Sequence, residues 1–120
     1  MIIAIDLNSN RPLYLQIVDG IRSALVSGEV QPGDRLPAGR DLAEALDVNL
    51  ETVQRAYRKL SDDGIVTSRV GRGTRVSETL DVTTLGLTGL IDELLDQSRQ
   101  LGLPIDRLIE MVRELSSTEL

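Results

Sequence analysis

The chain has 120 residues but no cysteine, no histidine, no tryptophan and no phenylalanine, and only two tyrosines. Missing cysteines exclude disulfides and thiolate nucleophiles. Together with the missing histidines they remove the usual ligands of a structural zinc site. The commonest general base near neutral pH is gone as well. With so few aromatic rings, any core must be aliphatic, built from Leu, Ile and Val. Hydrophobic residues make up 41% of the chain and charged residues 27%, enough for a packed core in one small domain with an appendage. No apolar run approaches the roughly 20 residues that span a bilayer. Met1-Ile2-Ile3-Ala4 lacks the basic start of a secretory leader. The expectation is a soluble, cytoplasmic protein that is not an enzyme and uses no metal and no cofactor.

The formal net charge of -6 hides an asymmetry. Residues 1–77 carry ten Lys+Arg and ten Asp+Glu, and residues 78–120 carry three and nine. All of the negative excess therefore lies in the last third. Such a split suggests two modules with different partners.

Ile3, Ile5 and Leu7 alternate with Ala4 and Asp6, which predicts a short strand. Pro12 suits the first turn of a helix over about 12–27, with Tyr14, Ile17, Ile21 and Leu25 on one face and Gly28 as its stop. Pro32-Gly33 marks a loop. A second helix spans about 38–46, its start uncapped because Ala38 and Gly39 offer no side-chain oxygen. A third follows over about 50–62, with Asn49 as N-cap and Val53, Ala56, Tyr57 and Leu60 as an inward stripe. Residues 65–70 and 74–76 then read as a β-hairpin around Gly71-Arg72-Gly73. Helix, helix, short turn, helix, hairpin is the layout of a winged helix-turn-helix. After a connector over Asp81–Thr84, two further helical patterns flank Gly102-Leu103-Pro104 and form an αα-hairpin. The expected fold is mainly α with a small β-hairpin. Residues 1–77 are the winged helix-turn-helix, and 78–120 are a connector and a two-helix hairpin for dimerisation.

If the stripe of the third helix is buried, Glu51, Gln54, Arg55, Arg58 and Lys59 face outward. Asn49, Thr52 and Gln54 supply short polar groups at its start, able to reach phosphate oxygens or base edges in a major groove. Arg55 and Arg58 can hold phosphates or guanine. Arg69, Arg72 and Arg75 on the hairpin extend the basic region, and Arg72 stands at a tip able to enter a minor groove. The plainer alternative is that these cations form only a solvated helix face.

The segments Pro12-Leu13-Tyr14-Leu15-Gln16-Ile17, Gly33-Asp34-Arg35-Leu36-Pro37, Arg40-Asp41-Leu42-Ala43, Thr52-Val53-Gln54-Arg55-Ala56-Tyr57 and Gly71-Arg72-Gly73-Thr74 resemble the GntR family of bacterial transcription regulators. The short tail resembles the YtrA subfamily, in which a helix pair replaces a large ligand-binding domain and serves dimerisation. The resemblance implies a homodimer, a dimeric repressor placing two winged helices on a near-palindromic operator in double-stranded DNA. It assigns DNA contacts to Arg40, Asn49, Leu50, Thr52, Gln54 and the tip Gly71, Arg72 and Gly73. The sequence departs from the family at Ala38, where serine is frequent, and at Asp47, where glycine is frequent. Leu50 and Gln54 stand where larger branches carry arginine. Leu50 then either touches a thymine methyl or packs under the helix start.

Leu87, Leu90, Ile91, Leu94 and Leu95, with Ile105, Leu108, Ile109 and Val112, form apolar stripes too large for a two-helix unit to bury by itself, so they are the expected dimer contact. A hairpin that only caps the first domain is the alternative. The acidic outer faces read as solvated surface. Residues 78–120 leave little room for an enclosed pocket, so no small-molecule effector is assigned. A winged-helix module that binds a protein instead of DNA is the competing function.

Overall fold

The computed structural model describes residues 1–118. Its elements are α1 (Leu13–Ser27), α2 (Gly39–Leu46), α3 (Leu50–Asp62), β1 (Val66–Arg69), β2 (Gly73–Val76), α4 (Val82–Gln100) and α5 (Ile105–Thr118). The described residues divide into two compact units, Met1–Leu85 and a second that begins at Gly86. The sequence expectation had put the division after Ser77. Leu80 packs against the core of the first unit and Leu85 is buried within it, which carries that unit beyond the hairpin.

The core of the first unit is aliphatic, as the shortage of aromatics requires. Ile17, Val18, Ile21 and Leu25 of α1 meet Val53, Ala56 and Leu60 of α3, and Leu42, Ala43, Ile65, Val66 and Val76 close around them. α1 ends where expected, with Gly28 in the left-handed region at φ 83°. α3 starts on the Asn49 cap, whose side-chain oxygen accepts the Glu51 amide at 2.9 Å. α2 has no side-chain cap at Ala38. Asp47 ends α2 at φ 54°, in the left-handed conformation that favours glycine.

Two expectations are corrected, and one loop is found to be tied down. Residues 3–7 form no strand. Instead Gln16, buried on α1, accepts the Asp6 amide at 2.7 Å and donates to the carbonyls of Asp6 and Arg11 at 3.0 Å each. One side chain thus replaces a strand partner, and Ile3 still reaches the core. Pro32-Gly33 makes the expected turn, and the loop after it is joined to the hairpin: Gly33 donates to Val76 O at 3.0 Å, Val76 to Asp34 O at 2.8 Å and Leu36 to Thr74 O at 2.9 Å. Arg35 and Arg75 form an antiparallel bridge there, so β2 is flanked on both edges. The connector over 81–84 is the start of α4. Asp81 caps it, accepting from the Thr84 hydroxyl at 2.7 Å and from the amides of Thr83 and Thr84. The bonds from Thr84 hold the Asp81 carboxyl below the ordinary carboxylate range.

In the second unit, α4 ends at Gln100, Gly102 beyond it takes φ 70°, and the amide of Leu103 returns to Ser98 O at 2.9 Å. Leu108 and Ser98 are buried, but most of the apolar residues on both helices are not.

Gly20 tests how tightly the N-terminal segment is seated. A β-carbon there would lie 2.8 Å from Ile3 Cγ2 and 3.3 Å from its Cβ, and a β-branched side chain cannot easily turn away. Gly20→Ala is expected to lower stability by about 1–2 kcal/mol in urea unfolding, despite alanine's better helix propensity. In an Ile3→Ala background the same change should be neutral or stabilising. An equal loss in both backgrounds would refute the contact.

Candidate nucleic-acid interface

α3 buries Val53, Ala56 and Leu60 completely, and this rolls Glu51, Gln54, Arg55, Arg58 and Lys59 to the exposed side. The candidate residues fall into three neighbouring groups. The first lines a groove where the start of α2, the length of α3 and one face of the hairpin converge: Arg40, Leu50, Gln54 and Arg58, with Ser68 and Thr74 opposite. Ser68 Oγ and Thr74 Oγ1 lie 2.9 Å apart across the two strands, which ties that wall together. Leu50 is half-buried against the core, and its Cδ1 is 3.4 Å from the position of a β-carbon on Gly39. It therefore packs under the helix start and keeps an edge in the groove.

The second group lies on the other flank of α3. Thr52, Arg55 and again Arg58 line a depression with Tyr14 and Pro12 of the first helix region. The Arg55 guanidinium sits over the Tyr14 ring, 4.0 Å from its centroid, a cation–π contact that holds the charge in place. Asn49 stands at the head of the helix with its oxygen committed to the cap, so only its amide nitrogen is left to donate outward.

The third group is the hairpin tip. Gly71 and Gly73 take φ of 79° and 72°, and Arg72 closes the turn by donating its amide to Arg69 O at 3.0 Å. Arg72 is exposed, as is Val70 beside it. Arg35 belongs to this region and was missed in the sequence, where its segment reads as loop. The pairing of residues 33–36 with β2, which no local sequence signal marks, brings it there.

Charge pairing separates these arginines from the rest. Arg11, Arg22, Lys59, Arg99 and Arg107 each hold a carboxylate. Among the described residues, no ion pair reaches Arg35, Arg40, Arg58, Arg69, Arg72 or Arg75. Cations gathered without counter-charges leave a positive local field open to an external anion.

Tyr57 fixes the groove's geometry. Its hydroxyl donates to Pro37 O at 2.7 Å, which ties α3 to the uncapped entry of α2, just ahead of Arg40. Burial pushes the Tyr57 phenol up to about 12 from the ordinary value of 10.0.

Residues 13–76 match the family described as bacterial regulatory proteins, gntR family. The HTH-type transcriptional repressor YtrA of Bacillus subtilis (strain 168) is 35% identical over 120 residues, covering 96% of this chain and 92% of YtrA. The solved structure of YtrA from Sulfolobus acidocaldarius, a GntR-family transcription factor, is 40% identical with a TM-score of 0.63, covering 80% of this chain and 99% of that one. The structure of AraR(DBD) in complex with operator ORR3 is 28% identical with a TM-score of 0.52, covering 62% of this chain and 92% of that one.

A raised phenol pKa means that the neutral, donating form is favoured in the folded state. Its contribution to stability is complete below the unfolded value near 10 and is lost as pH rises towards 12. Absorbance titration should show one tyrosine ionising near pH 12, and Tyr57→Phe should remove that step. The same substitution should cost about 1 kcal/mol of stability through the lost hydrogen bond. A titration unaltered in Tyr57→Phe would show that the late step belongs elsewhere.

Proposed function

The chain belongs to the gntR family of bacterial regulatory proteins, and from that premise we propose that it is a sequence-specific DNA-binding transcriptional regulator, a homodimeric repressor seated on a near-palindromic operator. The observation that carries this reading is the groove between α2, α3 and the hairpin, where Arg40 and Arg58, without a carboxylate partner among the described residues, lie beside the exposed amide of Gln54. An α-helix fits the major groove of B-DNA. α3 lies there with Gln54 and the Asn49 amide towards base edges, a Gln side chain being suited to adenine. Arg40, Arg55 and Arg58 take phosphates, and phosphate contacts set the register in which bases are read. Leu50 supports the helix start and offers its exposed edge to a thymine methyl. The tip with Gly71, Arg72 and Gly73 enters the adjacent minor groove. The operator complex of the structural neighbour AraR(DBD) supports a duplex partner for this fold.

Exposed apolar surface on the second unit supports the dimer. Leu87 is 56% exposed, Leu90 63%, Ile91 54%, Ile105 52% and Val112 53%, and Leu94 and Ile109 are also open. A stripe of this size is unfavourable in water, and a second copy of the same helices covers it by two-fold symmetry. Leu95 is half-buried and Leu108 is buried within the same unit. Two-fold symmetry matches a palindromic site with half-sites roughly one helical turn, or a multiple of it, apart. Among the described residues no helix is long and apolar enough to cross a membrane. Repression follows if the bound dimer occludes a promoter, and no chemical step is needed.

Fluorescence anisotropy against genomic fragments selected by the purified protein tests the reading. Affinity should fall steeply as salt rises, because phosphate neutralisation releases counterions. Arg40→Ala should weaken binding by about 1–3 kcal/mol without changing the oligomeric state. Salt-independent binding, or an unaffected Arg40→Ala variant, would count against it. For the dimer, Leu90→Glu with Ile109→Glu should give a folded monomer by sedimentation equilibrium and a loss of operator affinity. A dimer surviving that change would place the interface elsewhere.

A further inference from the structure

The hairpin has two faces, and only one of them lines the groove described above. On the other, Arg35, Arg69, Arg72 and Arg75 surround a single depression floored by Gly33 and Thr67. These arginines come from separate places in the chain: the segment before α2, the end of β1, the tip and β2. The register places them. Thr67 pairs with Arg75 and Arg69 with Gly73, so their side chains share the face opposite Ser68 and Thr74. The Arg35–Arg75 bridge adds the fourth arginine from the far edge of β2.

Arg35 is held against the backbone. A β-carbon on Gly73 would lie 3.2 Å from both Nε and Nη2 of Arg35, so the guanidinium rests on the strand where a side chain is absent. The one carboxylate at the rim, Glu78, packs its Cγ near Gly33, 3.5 Å from the position of a β-carbon there, and forms no ion pair with any of the four. Like charges collected in this way repel one another unless an outside anion neutralises them.

We propose that this outer face of the hairpin is a second phosphodiester-binding site, which grips the DNA backbone flanking the half-site on the far side of the minor groove. The proposal rests on the DNA-binding reading above and extends it. The minor groove is about 6 Å wide and both of its walls are phosphate backbone. A hairpin whose tip enters that groove presents one face to each wall. The groove face of this hairpin carries hydroxyls, and the outer face carries the arginines. An open row of cations from four chain positions suits a polymer backbone, whereas a small phosphorylated ligand calls for an enclosed pocket. Contacts of this kind add affinity and salt dependence without adding sequence preference.

The test uses the full-length dimer and its selected operator, in a long duplex extending about one helical turn past each half-site and in one trimmed at the half-sites. Arg35→Gln/Arg69→Gln/Arg75→Gln leaves the tip residue Arg72 intact. On the long duplex this variant should show a salt slope shallower by roughly 0.9 for each phosphate released, and a loss of roughly tenfold or more in affinity at moderate salt. Discrimination between operator and scrambled sequence should not change. On the trimmed duplex variant and wild type should converge. Arg69→Gln/Arg75→Gln, which keeps Arg35 packed on Gly73, should show the same effect at smaller size, and guards against misfolding of the triple variant. Equal salt slopes for wild type and both variants on the long duplex, with Arg40→Ala still impaired, would overturn the second site and leave the DNA-binding reading standing. Absence of any wild-type DNA binding at low salt would overturn both. Binding of inorganic pyrophosphate to the DNA-saturated dimer, lost in the triple variant, would assign the arginines to a free anion and overturn the duplex assignment.

Discussion

The burial of Val53, Ala56 and Leu60 against α1 is the constraint on which the rest depends. Each large aliphatic side chain removed from water contributes about 1.5–3 kcal/mol. Val53 and Leu60 are of that kind, Ala56 lets the helices approach closely between them, and the three positions at helical spacing leave α3 a single rotational setting. That setting turns Gln54, Arg55 and Arg58 outward and makes α3 both the centre of the core and an exposed polar and basic surface. It also lets Tyr57 reach the Pro37 carbonyl, so that α2, which has no cap of its own, begins at a defined place beside α3. Arg40 owes its position in the groove to that chain of contacts.

Charge is sorted around this frame by pairing. Arg22, Lys59 and Asp63 form a linked group at the end of α3, and Arg11 is held by Asp19. The arginines of α2, the outer flank of α3 and the hairpin have no such partners among the described residues, apart from Arg55, which rests on Tyr14. A protein with pI near 4.6 thus keeps a locally positive face. The carboxylates that set its net charge sit mostly in the second unit, which leaves electrostatic attraction to a polyanion concentrated on the first.

The hairpin is more than a two-stranded ribbon, which by itself is marginal in water. Backbone bonds from Gly33, Asp34 and Leu36 secure β2 from its second edge, and buried Leu36, Val66 and Val76 anchor the base in the core. A tip of Val70, Gly71 and Arg72 can project into solvent because its base is held on both sides. Near the N-terminus, Gln16 does similar service for the leading segment by bonding to the backbone of Asp6 where no strand is available.

Much of this was legible in the sequence. The inward stripes of α1 and α3, the Asn49 cap, the Gly28 stop and the glycine-flanked tip are local features. They follow from helical periodicity, from the need to cap free amides and from the backbone freedom of glycine, none of which requires knowledge of distant residues. The apolar stripes of the last two helices were legible for the same reason. What the residues alone could not decide was long-range. Ile3, Ile5 and Leu7 alternate as a strand does, but a strand exists only where a partner edge is free, and Gln16 takes that place. Residues 33–36 read as loop because their hydrogen-bond partners lie about forty residues away in β2. Arg35 joins the other hairpin arginines only through that pairing, and the packing of Leu50 beneath the start of α3 depends on the position of Gly39. Which arginines lack a carboxylate was likewise open until folding had brought the other charges together, because ion pairing depends on distance in space and the chain order does not encode it directly.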